Sequence, residues 1–450
     1  MYMNFKYSRH CTTWLMLIFL ALLIYDGALR KWAFPDYERY IYLLKDVVLL
    51  VASSLIVISR KWSKEDLELP KLFLVPFLLY GFYAVVQTAN PSLPSFLVGL
   101  WGIKNHLFYS LIVFVMLFGS FQLNSLLEGL QKVLPWMVIP VCLIAFFQTT
   151  APADSWLNDP VRGGQLYVSP MINNWIRTSA TFSYITGFSF YLIVFVLTSI
   201  LLILRGKSKN WILVICLMFL LAALPTNGSR SVIVVLGFSI LLLIGGLAAC
   251  GFLKITQLTR IAIGIAVAVI LSYIALPDVW GALLNRFLTS STVPGDSIRY
   301  WTIFTNAFVF FDVSGLFGFG VGAASQAAPF LVSDLDPYSW LPTGIAALGF
   351  EEESGRLVLE LGVLGWGLGL SFRIALVLLS IKILLTTRDL DGQLAAAMAL
   401  PIMLYAAYVG HGIFAPPMGS AFFWFGVGLL LLASRTRTDH SSSTRGSKFI

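Results

Sequence analysis

Long apolar runs separated by short polar turns recur from one end of the chain to the other. Runs of about 18 or more apolar residues have the length an α-helix needs to cross a bilayer core of roughly 30 Å. The pattern predicts membrane-spanning helices at Thr12–Ala28, Tyr40–Ile58, Leu69–Thr88, His106–Phe121, Val133–Thr150 and Phe182–Leu204. It continues with Trp211–Leu224, Ser231–Ala249, Ile261–Leu276, Leu357–Leu385, Leu394–His411 and Met418–Ala433. The expected fold class is therefore an all-α polytopic membrane protein with about 12 transmembrane helices. Composition agrees. Of the 450 residues 58% are apolar and only 12% are charged, against roughly 25% charged in soluble domains. The basic excess then belongs with the membrane, and no nucleic-acid partner is expected.

Most connections between these runs are short, but two segments break the rule. One runs from Ala151 to about Ser179, the other from Pro277 to about Gly355, between the ninth and tenth expected helices. Loops of that length in a compact bundle are functional or disordered, and aromatics and glycines in place of like charges argue for function. The expected organisation is helices one to nine over 1–276, a long extracytoplasmic loop over 277–355, helices ten to twelve over 356–434, and a disordered cytoplasmic tail over 435–450. Inside the loop, Ile298–Phe311 places Trp301, Phe304, Phe308 and Phe311 on one helical face and Arg299, Thr302 and Asn306 on the other. Such an amphipathic helix lies in the membrane interface.

Placing the N-terminus in the cytoplasm puts the larger share of lysine and arginine inside, so both termini are expected there. The first apolar run imitates a signal peptide, but Gly27-Ala28-Leu29-Arg30-Lys31 is a poor cleavage site and reads as the end of an uncleaved helix. Cys11, Cys142, Cys216 and Cys250 all lie in or near spans, so no disulfide framework is expected. His10, His106, His411 and His440 are scattered without ligand spacing, and no metal or other cofactor is expected.

Candidate chemistry collects on the outer side. Arg177, Arg230, Arg299 and Arg356 lie at outer or interfacial positions. A guanidinium offers planar, permanently charged recognition of phosphate, although each arginine alone equally fits headgroup snorkelling. Glu351, Glu352 and Glu353 precede Arg356 and Glu360 at helical spacing. They fit a charge-paired helix start, or a general base in which Glu351 or Glu353 faces a substrate hydroxyl. Lys104 and His106 open a span and read as interfacial anchors, with Lys104 also a candidate phosphate contact. His411 reads as a packing histidine. The run from Gly315 to Gly322 fits a close-packed turn, a small-residue helix contact, or a phosphate-contacting turn in which Gly320 takes part.

The order of Arg177-Thr178-Ser179-Ala180-Thr181-Phe182, Ser229-Arg230-Ser231, Arg299-Tyr300-Trp301, Gly318-Phe319-Gly320-Val321-Gly322 and Glu360-Leu361-Gly362-Val363-Leu364-Gly365 resembles the O-antigen ligase/polymerase family of bacterial envelope glycosyltransferases. The resemblance implies an inner-membrane enzyme that moves a glycan from an undecaprenyl-diphosphate carrier to a glycan or lipid acceptor, without a metal, on the outer face. It implies functional roles for Arg230 and Arg299, with other polysaccharide assembly proteins as neighbours. The loop lacks the histidine that ligases carry near its end, and Glu351–Glu353 stand roughly in that place, which leans towards a polymerase. Direct displacement would invert the anomeric centre. The rival expectations are a transporter or flippase of lipid-linked glycans and a non-catalytic assembly subunit.

Overall fold

The structure is a computed structural model that describes residues 5–446 apart from 61–67, 120, 162–167, 170–174, 207–210, 253–254, 290–304, 306, 333, 343–352 and 409–415. Helix α1 (Phe5–Ala28) runs on through a π-turn (Leu29–Ala33), and α2 (Glu38–Ser59) returns against it. Then come α3 (Lys71–Val86), α4 (Phe96–His106), α5 (Leu111–Phe118), α6 (Leu123–Thr150), α7 (Ile185–Arg205), α8 (Trp211–Asn227), α9 (Arg230–Ala249) and α10 (Ile255–Ala275). A sharp bend leads into α11 (Pro277–Thr289), followed by the short turns α12 (Phe311–Ser314) and α13 (Ala328–Leu331). Helices α14 (Glu353–Thr386), α15 (Leu390–Tyr408) and α16 (Pro417–Gly446) complete the chain. The described extended structure is one two-residue antiparallel ladder, β1 (Val168–Ser169) with β2 (Trp175–Ile176).

Ten helical stretches among the described residues are long and apolar enough to cross a membrane, and the α10–α11 pair, bent by 106°, makes up to 11. Helix α8 is apolar but shorter. The chain is thus an all-helical, multi-pass membrane architecture. Helices α7 and α16 form its axis: 89% of the most apolar stretch of each is buried, against 22% for α3, which leaves the rest of α3 to face lipid. Around α16 the rings of Phe77, Phe372, Phe423 and Trp424 pack in edge-to-face and tilted pairs, filling the bundle centre with rigid area.

Contacts define the two ends of the bundle. At one end Arg60 donates to the Phe118 carbonyl, Arg435 to the Leu117 carbonyl, and Arg205 to Asp391 and Asn124. At the other, Lys31 reaches Ser179, Arg177 reaches Asn227, and Asn90 reaches Gly318. The described parts of the two long connecting segments and the ends of α1, α3, α8 and α14 therefore share one face.

The structure corrects one expected element and leaves most of another outside the described residues. The fourth span runs from Phe96 to Phe118; its expected start at His106 is too late because Lys104 and His106 lie within the span, paired with side chains of other helices. Most of the expected amphipathic helix, including Arg299, Trp301 and Phe304, lies outside the described residues. Its described end packs Phe308 and Phe311 against Trp366 of α14.

Helix α14 is broken at Gly362, whose φ of 68° and ψ of −175° lie outside any helix. A broken helix exposes carbonyls of one half and N–H groups of the other, and in a membrane interior these must be satisfied. The glycine run does this. Phe319 N donates to Leu359 O at 2.8 Å and Gly320 N to Glu360 O at 2.9 Å, while Val363 N and Leu364 N donate to Gly315 O and Leu316 O. Side chains are excluded from the junction: a Cβ on Gly322 would lie 2.4 Å from Val98 O, and one on Gly362 2.3 Å from Leu316 O. The glycines are a close-packed turn that closes the break.

Candidate functional site

The break directs a polar network into the bundle. The first half of α14 carries Glu353, Arg356 and Glu360 on one face, as their spacing requires. Glu353 lies between two guanidiniums: Arg356 Nη2 donates to its Oε2 at 2.9 Å and Arg373 Nη2 to its Oε1 at 3.0 Å. Arg373, from the second half, also donates to Ala406 O of α15 at 3.2 Å. Glu360 Oε2 lies 2.8 Å from His106 Nε2 of α4, and His106 Nδ1 lies 2.8 Å from the Tyr80 hydroxyl of α3. A neutral imidazole satisfies both neighbours, with Nε2–H donating to the carboxylate and Nδ1 accepting from the phenol. No side chain of this chain of contacts exceeds 3% exposure.

Two carboxylates and two guanidiniums then sum to zero, which is the condition under which charges persist at membrane depth. One mismatch remains: Arg356 Nε and Glu360 Oε1 are 4.0 Å apart and neither has a hydrogen-bond partner among the described residues. Above the network, Trp340 donates to Ala323 O at 2.9 Å and the Tyr338 hydroxyl to Ser325 O at 3.2 Å. Burial pushes the Tyr338 phenol up, with the Glu360 charge adding to it.

A second polar cluster lies beside the first, where α1, α2 and α4 meet. Lys45 donates to Asp26 at 2.6 Å, Lys104 lies 2.8 Å from Asp46, and the Tyr109 hydroxyl donates to Asp46 at 2.9 Å. Lys104 also faces the rings of Tyr42 and Trp101. Arg30 pairs with Glu38 at 2.5 Å. Helix α4 joins the clusters, because Lys104 and His106 leave it in different directions.

The residues singled out in the sequence divide accordingly. Glu353 and Arg356 meet, but in each other's charge. A carboxylate clamped by two buried guanidiniums is a poor proton acceptor, so Glu353 is a structural ion rather than the expected general base. Gly320 is likewise not an expected substrate contact, since its N–H is committed to the Glu360 carbonyl. Lys104 is a helix-interior ion partner in place of an interfacial anchor or free phosphate contact. Arg230 Nη1 donates to Arg286 O at 2.7 Å, and Arg286 in turn donates to Gly228 O, tying α9 to α11. Arg177 donates to Asn227 O at 3.2 Å, close to that corner. Glu351, Arg299 and His411 lie outside the described residues.

Sequence reasoning passed over Asp26, Lys45, Asp46 and Tyr80 and treated His106 as an anchor. The available signal was ionisable residues inside apolar runs, which mark functional or paired positions in membranes. Among the described residues no group of His, Cys, Asp and Glu could hold a metal ion. Comparison with protein-family models and with curated proteins finds no match, so the functional argument rests on these residues.

Proposed function

We propose that this chain is a membrane glycosyltransferase that polymerises or ligates undecaprenyl-diphosphate-linked oligosaccharides on the outer face of a bacterial inner membrane. The observation that carries the reading is the gathering of cations on one face. Arg30, Lys31, Arg177, Arg230 and Arg286 meet backbone and loop partners at the end of the bundle that also bears both long connecting segments. The order of short motifs that resembles the O-antigen ligase/polymerase family supports it. A diphosphate is already a competent leaving group, so catalysis needs fixed positive charge where negative charge develops, more than a strong acid. In this reading Arg230 and Arg299 stabilise the departing diphosphate, and Glu351 takes the proton of the attacking hydroxyl. Glu353, Arg356 and Arg373 hold the broken helix that frames the site. The C–O bond to the carrier breaks as the new glycosidic bond forms on the opposite face, with inversion and without a metal.

Counting α8 as a span and α10–α11 as one gives twelve crossings, with both termini on the cytoplasmic side. Arg299→Ala should abolish polymer while the protein still inserts; polymer of unchanged length and amount would refute the assignment. Accumulation of single repeat units in cells lacking the protein identifies a polymerase, and accumulation of finished polymer on its carrier identifies a ligase.

A transporter of lipid-linked glycans is the second reading. It is favoured by the break in α14 beside buried His106, Glu360 and Arg373, since transporters place broken helices next to interior charges. Transport assays in vesicles separate the two: carrier movement without new glycosidic bonds supports the second.

A further inference from the structure

The π-turn that ends α1 carries Arg30, Lys31 and Trp32 onto the loop that precedes α7. The contact is close, because a Cβ on Gly27 would lie 2.4 Å from Ser183 N and from Thr181 O. The loop is held in an uncommon shape: Ala180 has φ 48°, and its N–H donates to the Gln148 side chain at 2.8 Å. Inserted π-turns and left-handed non-glycine residues concentrate at functional sites.

The charge there does not balance. Lys31 is 8% exposed, and its acceptors among the described residues are the neutral Ser179 Oγ at 2.8 Å and Ala180 O at 3.1 Å. Asp26 already accepts from Lys45 at 2.6 Å. Around it Arg30, Lys45 and Lys104 are matched by Glu38, Asp26 and Asp46, so among the described residues Lys31 has no carboxylate of its own. Two donors beside it, Arg30 Nε and Trp32 Nε1, are buried with no hydrogen-bond partner among the described residues. Buried N–H groups without acceptors are rare in native structures. One acceptor-rich anion would satisfy all of them. The corner is not sealed, since the Arg30 and Glu38 side chains keep 10% and 18% of their surface open.

We propose that Arg30, Lys31 and Trp32 form a binding site for a phosphate or diphosphate group at the outer face, separate from the Arg230 corner. The proposal deepens the glycosyltransferase reading by giving the lipid-linked diphosphate a second cationic contact, and it is tested without any glycosyl transfer. Purified protein in uncharged lipid nanodiscs is titrated with inorganic diphosphate, with a polyprenyl diphosphate and with phosphatidylglycerol, and binding is read by native mass spectrometry and calorimetry.

Lys31→Met should weaken diphosphate binding by about 10- to 100-fold, the affinity equivalent of one charge-assisted hydrogen bond. Glu38→Gln, a change at a partly open side chain, should tighten it by about two- to fivefold by releasing Arg30 from its carboxylate. Binding of inorganic diphosphate alone points to a free anion, of the polyprenyl diphosphate alone to the lipid carrier, and of phosphatidylglycerol alone to a headgroup; each supports the site. Unchanged affinity in both variants, or no binding of any probe to the wild type, overturns it. A site that binds diphosphate in a protein that forms no glycosidic bond would leave this inference standing and remove the glycosyltransferase reading.

Discussion

Glu353→Gln removes the one charge that Arg356 and Arg373 share. Both guanidiniums are buried, at 3% and 1% exposure, and Glu353 accepts from them at 2.9 and 3.0 Å. The amide can still accept one of these bonds, but it supplies no charge and turns an N–H₂ donor towards the other arginine. Breaking one partner of a buried pair costs about 3–5 kcal/mol, because the remaining charge stays desolvated. Here two charge-assisted bonds are lost and one positive charge is left uncompensated, with Glu360 4.0 Å from Arg356 Nε. The upper part of that range is therefore expected, a large share of the roughly 5–15 kcal/mol by which native domains are stable. Reversible unfolding in mixed micelles measures it. The double variant Glu353→Gln/Arg373→Met removes one stranded cation and should recover part of the loss, with a coupling of about 1–3 kcal/mol. A single-variant loss below about 1 kcal/mol, or additive losses in the double variant, would refute the view that Glu353 is a structural ion.

Gly322→Ala places a side chain at φ 88° and 2.4 Å from Val98 O, so it should cost about 2 kcal/mol or more in the same unfolding assay. Gly264→Ala, which meets nothing within 4 Å, should be neutral or stabilising. Tyr80→Phe leaves His106 Nδ1 without its 2.8 Å partner and should cost about 1–3 kcal/mol; an unchanged midpoint would show that the hydrogen bond is not formed. On the opposite face, Asp391→Asn should loosen the junction of α7 and α15 that Arg205 holds at 2.8 and 2.9 Å, seen as faster hydrogen exchange at the start of α15.

Ten of the spans were legible because each is an apolar run of sufficient length, and length is what a bilayer selects. The start of the fourth was not. Lys104 and His106 look like the polar edge of a span until Asp46 and Glu360, distant in sequence, are seen to pair with them. The same limit applies to the site. The spacing of Glu353, Arg356 and Glu360 is visible in the sequence, but local periodicity carries no information on Arg373 or on the clamp it completes. The glycine run announced a tight turn, yet its partner, the break at Gly362, lies beyond local pattern. Lys31 stands in the sequence at the end of the first apolar run, but its want of a carboxylate among the described residues depends on which ones Lys45 and Lys104 take up.

The most direct test of the account is reaction of the purified protein in liposomes with a synthetic oligosaccharide on undecaprenyl diphosphate, in the presence of a metal chelator. The account predicts longer glycan chains with an inverted linkage, release of the lipid diphosphate, and loss of both in Arg230→Ala and Arg299→Ala. Substrate recovered without new glycosidic bonds, or elongation undiminished in both variants, would contradict it.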